Sequence, residues 1–147
     1  MNTATTTAAI LGLVLPVFAM PSEPFPVWYD QLYDEESTPL TSVACSNGQN
    51  GLITQGYNTF ADLPTYPFVG GAPQIDGWDS FYCGTCWMVI YTSPSGEVSS
   101  HWFTAIDTPV SGGGYSISMA GLNYLTGGNA LAVNGVTMVF AEDTSNM

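Results

Sequence analysis

Asp107 closes an aromatic and β-branched run and stands just before the turn pair Thr108-Pro109, a place from which a carboxylate can face a groove. Glycosidic hydrolysis needs two carboxyl groups, held ~5 Å or ~6.5–9.5 Å apart across the sugar. Asp30, Asp76 and Asp79 are the candidates for a second. Asp76 and Asp79 sit beside a turn glycine and a turn serine, where aspartate commonly serves the backbone, and Asp79 reads as a turn or cap. His101 is the single histidine and no serine lies in a nucleophile-elbow motif, so a Ser/His/Asp triad has no basis, and His101 reads as a polar strand residue. Three cysteines, Cys45, Cys83 and Cys86, allow one intramolecular bridge and leave one thiol over. Cys83-Gly84-Thr85-Cys86 has the spacing of a redox motif or half a zinc site, but there is no second pair and no βαβ context, so neither a metal nor a cofactor is expected. A structural disulfide from Cys45 to one member of the pair closes a long loop, worth roughly 4 kcal/mol on the chain-entropy model.

Neutral hydrogen-bonding groups and aromatic faces hold sugars, and this chain is rich in both. Tyr29, Asp30, Tyr33, Asn58 and Tyr115 form the candidate groove wall, whereas Trp78 and Trp87 read as core beside the disulfide.

The 147 residues include no Lys or Arg, twelve Asp and Glu, and a formal charge of −12. Nothing on such a chain can neutralise a phosphate backbone, which excludes nucleic acid and anionic membrane surfaces as partners. Charged residues are only 8% and apolar residues 46%, the balance of one globular domain with a neutral polar skin. The apolar run ending in Val17-Phe18-Ala19 has signal-peptide length and is too short to span a bilayer, so residues 1–19 read as a cleaved signal peptide and the mature protein as extracellular. Residues 20–26 read as an extended arm, with a single domain over 27–147.

Short β-branched or aromatic runs at 40–45, 87–91, 98–106, 115–118 and 136–140, separated by Gly, Pro, Asn and Ser, have the spacing of a small barrel or sandwich. One helix is expected over 119–126, capped by Ser118 and ended by Gly127, with Met119, Leu122 and Leu125 on one face.

Several spaced segments together resemble the cerato-platanin family: Val27-Trp28-Tyr29-Asp30, Ser42-Val43-Ala44-Cys45-Ser46-Asn47-Gly48, Pro67-Phe68-Val69-Gly70-Gly71, and Gly77-Trp78-Asp79-Ser80 leading to Cys83-Gly84-Thr85-Cys86-Trp87. Ala105-Ile106-Asp107, Leu125-Thr126-Gly127-Gly128 and Gly135-Val136-Thr137 keep the family's order downstream. The resemblance implies a six-stranded double-psi β-barrel with one or a few short helices. It also implies a secreted fungal protein of the cell wall and culture fluid that binds chitin-type or other cell-wall oligosaccharides. Expansin-like loosening of polysaccharide without hydrolysis, self-association at surfaces and elicitation of plant defence belong to the same picture. The alternative is a weak wall-acting glycosidase or lytic enzyme of the same barrel superfamily.

By this resemblance Cys45 pairs with Cys83, while Cys86 lacks the C-terminal partner that the family usually supplies and is an unpaired thiol. The carbohydrate-binding set carried over is Asp107, the family's acidic residue, with Tyr29 and Asp30. Ser116 joins it, from Gly114-Tyr115-Ser116, where the family has Gly-Phe-Asn.

Overall fold

A computed structural model describes residues 22–110 and 113–143. The expected signal peptide, residues 1–19, lies outside them. Six strands close into a barrel: β1 (Ser22–Tyr29), β2 (Val69–Gly71), β3 (Cys86–Thr92), β4 (Val98–Asp107), β5 (Tyr115–Ile117) and β6 (Thr137–Asp143), in the order β1-β5-β2-β4-β3-β6. β1 runs parallel to β5, and β2 parallel to β4, while the remaining neighbours are antiparallel. Closure leaves the sheet without an open edge.

Alternation explains the longest strands. In β3, Trp87, Val89 and Tyr91 are buried and the residues between them are not, the period-2 signature of one face turned to the core. Tyr115 of β5 sits at the centre, stacked on Phe140 with ring centroids 3.5 Å apart and met edge-on by Phe25, Trp87 and Phe103. Such edge-to-face packing adds to the area term of burying large rings. Tyr115, fully buried, is therefore core and not groove wall.

Two expectations about strands are corrected. Residues 22–26 are extended, as expected, but are part of the barrel and not an arm beside it: they pair with β6 from Ser22↔Ala141 to Pro26↔Thr137. Pro24 and Pro26 are two apart, so their missing N–H groups fall on one side of the strand, and β5 pairs only with Val27, Trp28 and Tyr29. The run 40–45 is not a strand. It forms a 3-10 turn, Leu40–Ser42, because its only sheet-like contact is a single bridge, Pro39↔Thr59, too little to hold a ladder.

The one α-helix among the described residues, α1 (Met119–Thr126), follows its sequence signals. Ser118 Oγ accepts from the Gly121 amide at 2.9 Å and donates to the Pro67 carbonyl. Gly127 ends the helix with φ +64°, a left-handed conformation that costs glycine little. Asp34 adds an acidic cap from another segment, its two carboxylate oxygens accepting from the Met119 and Ala120 amides at 2.9 and 2.8 Å. His101 stacks on Phe68 at 3.8 Å and meets the edge of Tyr124 at 5.4 Å, so it joins α1 to β4 as a packing residue.

Candidate functional site

Asp107 is the last residue of β4, where the strand leaves the ladder and the carboxylate turns back on the chain. Oδ1 accepts two backbone amides, Thr108 at 2.8 Å and Ala44 at 3.0 Å. Oδ2 receives the Tyr33 hydroxyl at 3.4 Å. With Oδ1 saturated and Oδ2 holding one long bond, the acceptor capacity left for a ligand is on Oδ2. Asp107 is half-buried, so a ligand can reach it.

Gly70 and Gly71 let the neighbouring strands approach. A Cβ at Gly70 would collide with the Ser116 carbonyl, and one at Gly71 with the Thr108 carbonyl. The β2 glycines thus bring β5 and the turn after Asp107 close together, a role of glycine wherever backbones must nearly touch.

Tyr29 and Asp30 arrive from the end of β1. The Tyr29 amide donates to Asn134 Oδ1 at 3.0 Å, and the Asp30 amide to the Ile117 carbonyl at 2.9 Å. The Asp30 side chain accepts from the Leu32 amide at 2.9 Å and starts the 3-10 turn Gln31–Asp34. That turn delivers Tyr33. Its ring packs against that of Phe60, and its phenol is pushed well above its ordinary value, first by burial and then by the negative charges of Asp107 and Asp30. One phenol therefore senses both carboxylates, which ties Asp30 and Asp107 into one electrostatic neighbourhood.

Ser116 is set apart from that cluster. It is fully buried, and its Oγ accepts from the Val110 amide at 3.1 Å, so it holds the loop after Asp107 in place of offering a ligand contact. Asn58 is exposed and bound to Leu40 through its carbonyl and to Asp62 through its amide, in a different loop. Asp79 directs Oδ1 to the Asn50 amide at 2.8 Å, with φ +60°, the turn duty its neighbours foretold.

Trp78 departs from its expectation. It is 64% exposed, and its indole N–H donates to Asn47 Oδ1 at 2.7 Å, while Phe81 is 76% exposed. The Asp79–Asn50 bonds fix this turn against the loop behind it and leave the rings outside. Trp87 is buried, its indole N–H donating to Thr85 Oγ1 at 3.0 Å. Cys45 and Cys83 form a disulfide with Cα atoms 5.3 Å apart, and Cys86 is a free thiol. Sequence reasoning missed Ala44 and Asn134, whose contributions are a backbone amide and a distant side chain; neither leaves a motif.

Among the described residues no group of three His, Cys, Asp or Glu side chains is placed to hold a metal ion, and no helix is long and apolar enough to cross a membrane.

The sequence model of the cerato-platanin family matches residues 25–146. A protein described as the heat-stable 19 kDa antigen of Coccidioides posadasii is 39% identical over 119 residues, 81% of this chain and 77% of that protein. Cerato-platanin of Ceratocystis fimbriata f. sp. platani is 41% identical over 99 residues, 67% of this chain and 68% of that one. Among solved structures, cerato-platanin 2 of M. perniciosa superposes with a TM-score of 0.77 at 33% identity, covering 83% of this chain and 95% of that chain. The solution structure of cerato-platanin, described as a fungal elicitor, gives 0.67 at 34% identity, covering 84% and 92%. With its closed six-stranded barrel and a family match over most of its length, the chain belongs to the cerato-platanin family.

Proposed function

We propose that this protein is a secreted, non-catalytic binder of cell-wall oligosaccharides of the chitin type, acting by expansin-like loosening of polysaccharide and eliciting plant defence. The observation that carries the reading is the Asp107 carboxylate, fixed by two backbone amides with Oδ2 beside Tyr33. A pre-oriented acceptor of this kind suits a sugar hydroxyl, because its geometry costs no further ordering on binding. Asp30, the residue after β1, acts with it on the Tyr33 phenol, and Tyr29 is the last residue of that strand. The exposed rings of Trp78 and Phe81 add faces on which pyranose C–H surfaces stack.

Hydrolysis would need a second carboxyl group free to act on water. Asp30 and Asp79 are each engaged with a backbone amide, and Asp76, the third candidate, is exposed and not among the carboxylates that act on Tyr33 beside Asp107, which favours binding over catalysis. Secretion is supported by the apolar run in residues 1–19 and by the disulfide, which persists in oxidising compartments. The elicitor role is supported by the relative described as a fungal elicitor.

Titration with soluble chitin oligomers, alongside release of reducing sugar from chitin, tests the reading. Saturable binding with no sugar release is the expected result. Sugar release that disappears in Asp107→Asn would replace it with the glycosidase alternative.

A further inference from the structure

The barrel wall carries a concavity whose lining includes none of Tyr29, Asp30, Asp107 or Ser116. Cys86 of β3 lies opposite Thr104 of β4 across the antiparallel ladder, and Trp102 stands two residues earlier on the same strand. With Trp87 and Phe103 turned to the core, period 2 places Cys86, Trp102 and Thr104 together on the outer face. The segment from Leu52 to Thr65 lies over that face and completes a pocket of about 340 Å³.

Tyr57 and Trp102 supply aromatic walls, Leu52 and Leu63 aliphatic ones, and Gln55 and the Thr65–Thr104 pair supply neutral polar groups. In a chain with twelve acidic side chains, this lining holds none. The Thr65 and Thr104 hydroxyls are bonded to each other at 2.6 Å. That bond uses one of their two hydrogens, and Cys86 Sγ lies 3.9 Å from Thr104 Oγ1, so the Thr65 side of the pair keeps lone-pair capacity for a ligand's hydroxyl.

We propose that this pocket binds a small neutral aromatic molecule bearing a hydroxyl group, that is, a simple phenol. Its volume is at the lower end of the ~300–1,000 Å³ of ligand pockets and accommodates one substituted ring, not a sugar chain. A formal charge of −12 repels anions, and walls without a carboxylate offer a cation only the ring faces of Tyr57 and Trp102, with no ion pair. Apolar and aromatic walls with a few neutral polar groups then select a neutral ring, and the threonine pair selects one with a hydroxyl. The inference is independent of the oligosaccharide site, which shares no lining residue with it.

Cys86, a free thiol in the wall, reports on occupancy. The test measures the rate at which iodoacetamide alkylates Cys86 in the intact protein, with 4-ethylphenol as the probe ligand and benzoate and glucose as controls. Calorimetric titration of 4-ethylphenol runs in parallel. Saturating 4-ethylphenol is expected to slow alkylation at least fivefold, with neither control slowing it. In Trp102→Ala and, separately, in Tyr57→Ala, each checked for a native circular dichroism spectrum, the protection should fall to under twofold. The proposal is overturned if 4-ethylphenol leaves the rate unchanged and gives no saturable heat at millimolar concentration. Equal protection by benzoate or glucose, or full protection retained in both folded variants, overturns it as well.

Discussion

Replacing Asp107 by Ala and by Asn separates the two jobs that its carboxylate performs. Ala removes the acceptor of the Thr108 and Ala44 amides, 2.8 and 3.0 Å away, and leaves the Tyr33 hydroxyl without its partner. Hydrogen bonds to a charged acceptor contribute ~1.5–3 kcal/mol each, and the partly exposed setting of Asp107 argues for the low end, so losing the two amide bonds costs about 3 kcal/mol, the long Tyr33 bond adding little. For a domain of this size that lowers the melting temperature by about 10 °C. Asn keeps the geometry: its Oδ1 still accepts both amides, and its Nδ2 donates to the Tyr33 oxygen where Oδ2 had accepted. Asn should therefore cost less than ~1 kcal/mol, while its amide presents donors where a sugar hydroxyl meets an acceptor. Urea unfolding of the three proteins checks the stability difference. An Ala variant within ~0.5 kcal/mol of wild type, the range of a featureless surface change, would refute the bracing of the turn. An Asn variant as unstable as Ala would show that charge, not hydrogen-bond geometry, holds it.

Removing the disulfide with Cys45→Ser and Cys83→Ser together should lower unfolding free energy by roughly 3–4 kcal/mol, while Cys86→Ser changes it little; calorimetry of both variants decides. Tyr33 has a folded phenol value above its unfolded one, so its contribution is fully present below the ordinary value of about 10 and is lost as pH rises beyond it. The melting temperature should thus fall between about pH 10 and 12, and less steeply in Tyr33→Phe; parallel curves for the two proteins would count against this. Asp62 shows the opposite sign: the Thr59 and Asn58 amides hold its carboxyl below 3.8, so its cap persists as pH falls past the unfolded value and is lost only as the folded value is crossed. Nuclear magnetic resonance titration should show the Thr59 and Asn58 amides moving together with a midpoint below that value.

Much of the barrel was readable wherever one residue in two faces the core. Trp87, Val89 and Tyr91 alternate cleanly in β3, and Ser118 and Gly127 bracket α1 with ordinary capping chemistry. β1 hid behind Pro24 and Pro26, which normally argue against a strand, and β2 behind two glycines in three residues, which carry no hydrophobic signal. The opposite error came at residues 40–45, where β-branched composition imitates a strand but the segment has no neighbour to pair with. At the site, Asp107, Tyr29 and Asp30 were visible as residues, and Tyr33 as a ring nearby. The Ala44 amide that fixes Asp107 is 63 positions away and announces itself in no pattern. The exposure of Trp78 was equally hidden, since a large ring in the segment leading to a disulfide cysteine reads as core until its indole is seen bound to Asn47 at the surface.

Amide chemical-shift mapping during titration with a soluble chitin oligomer tests the oligosaccharide site most directly. The account predicts saturable shifts centred on Tyr29, Asp30, Tyr33, Asp107 and Thr108, and a ten- to hundredfold weaker affinity in Asp107→Asn, the ~1.5–3 kcal/mol of a hydrogen bond to a charged acceptor. Saturable shifts that leave these five residues untouched, or an Asp107→Asn variant that binds as tightly as wild type, would contradict it.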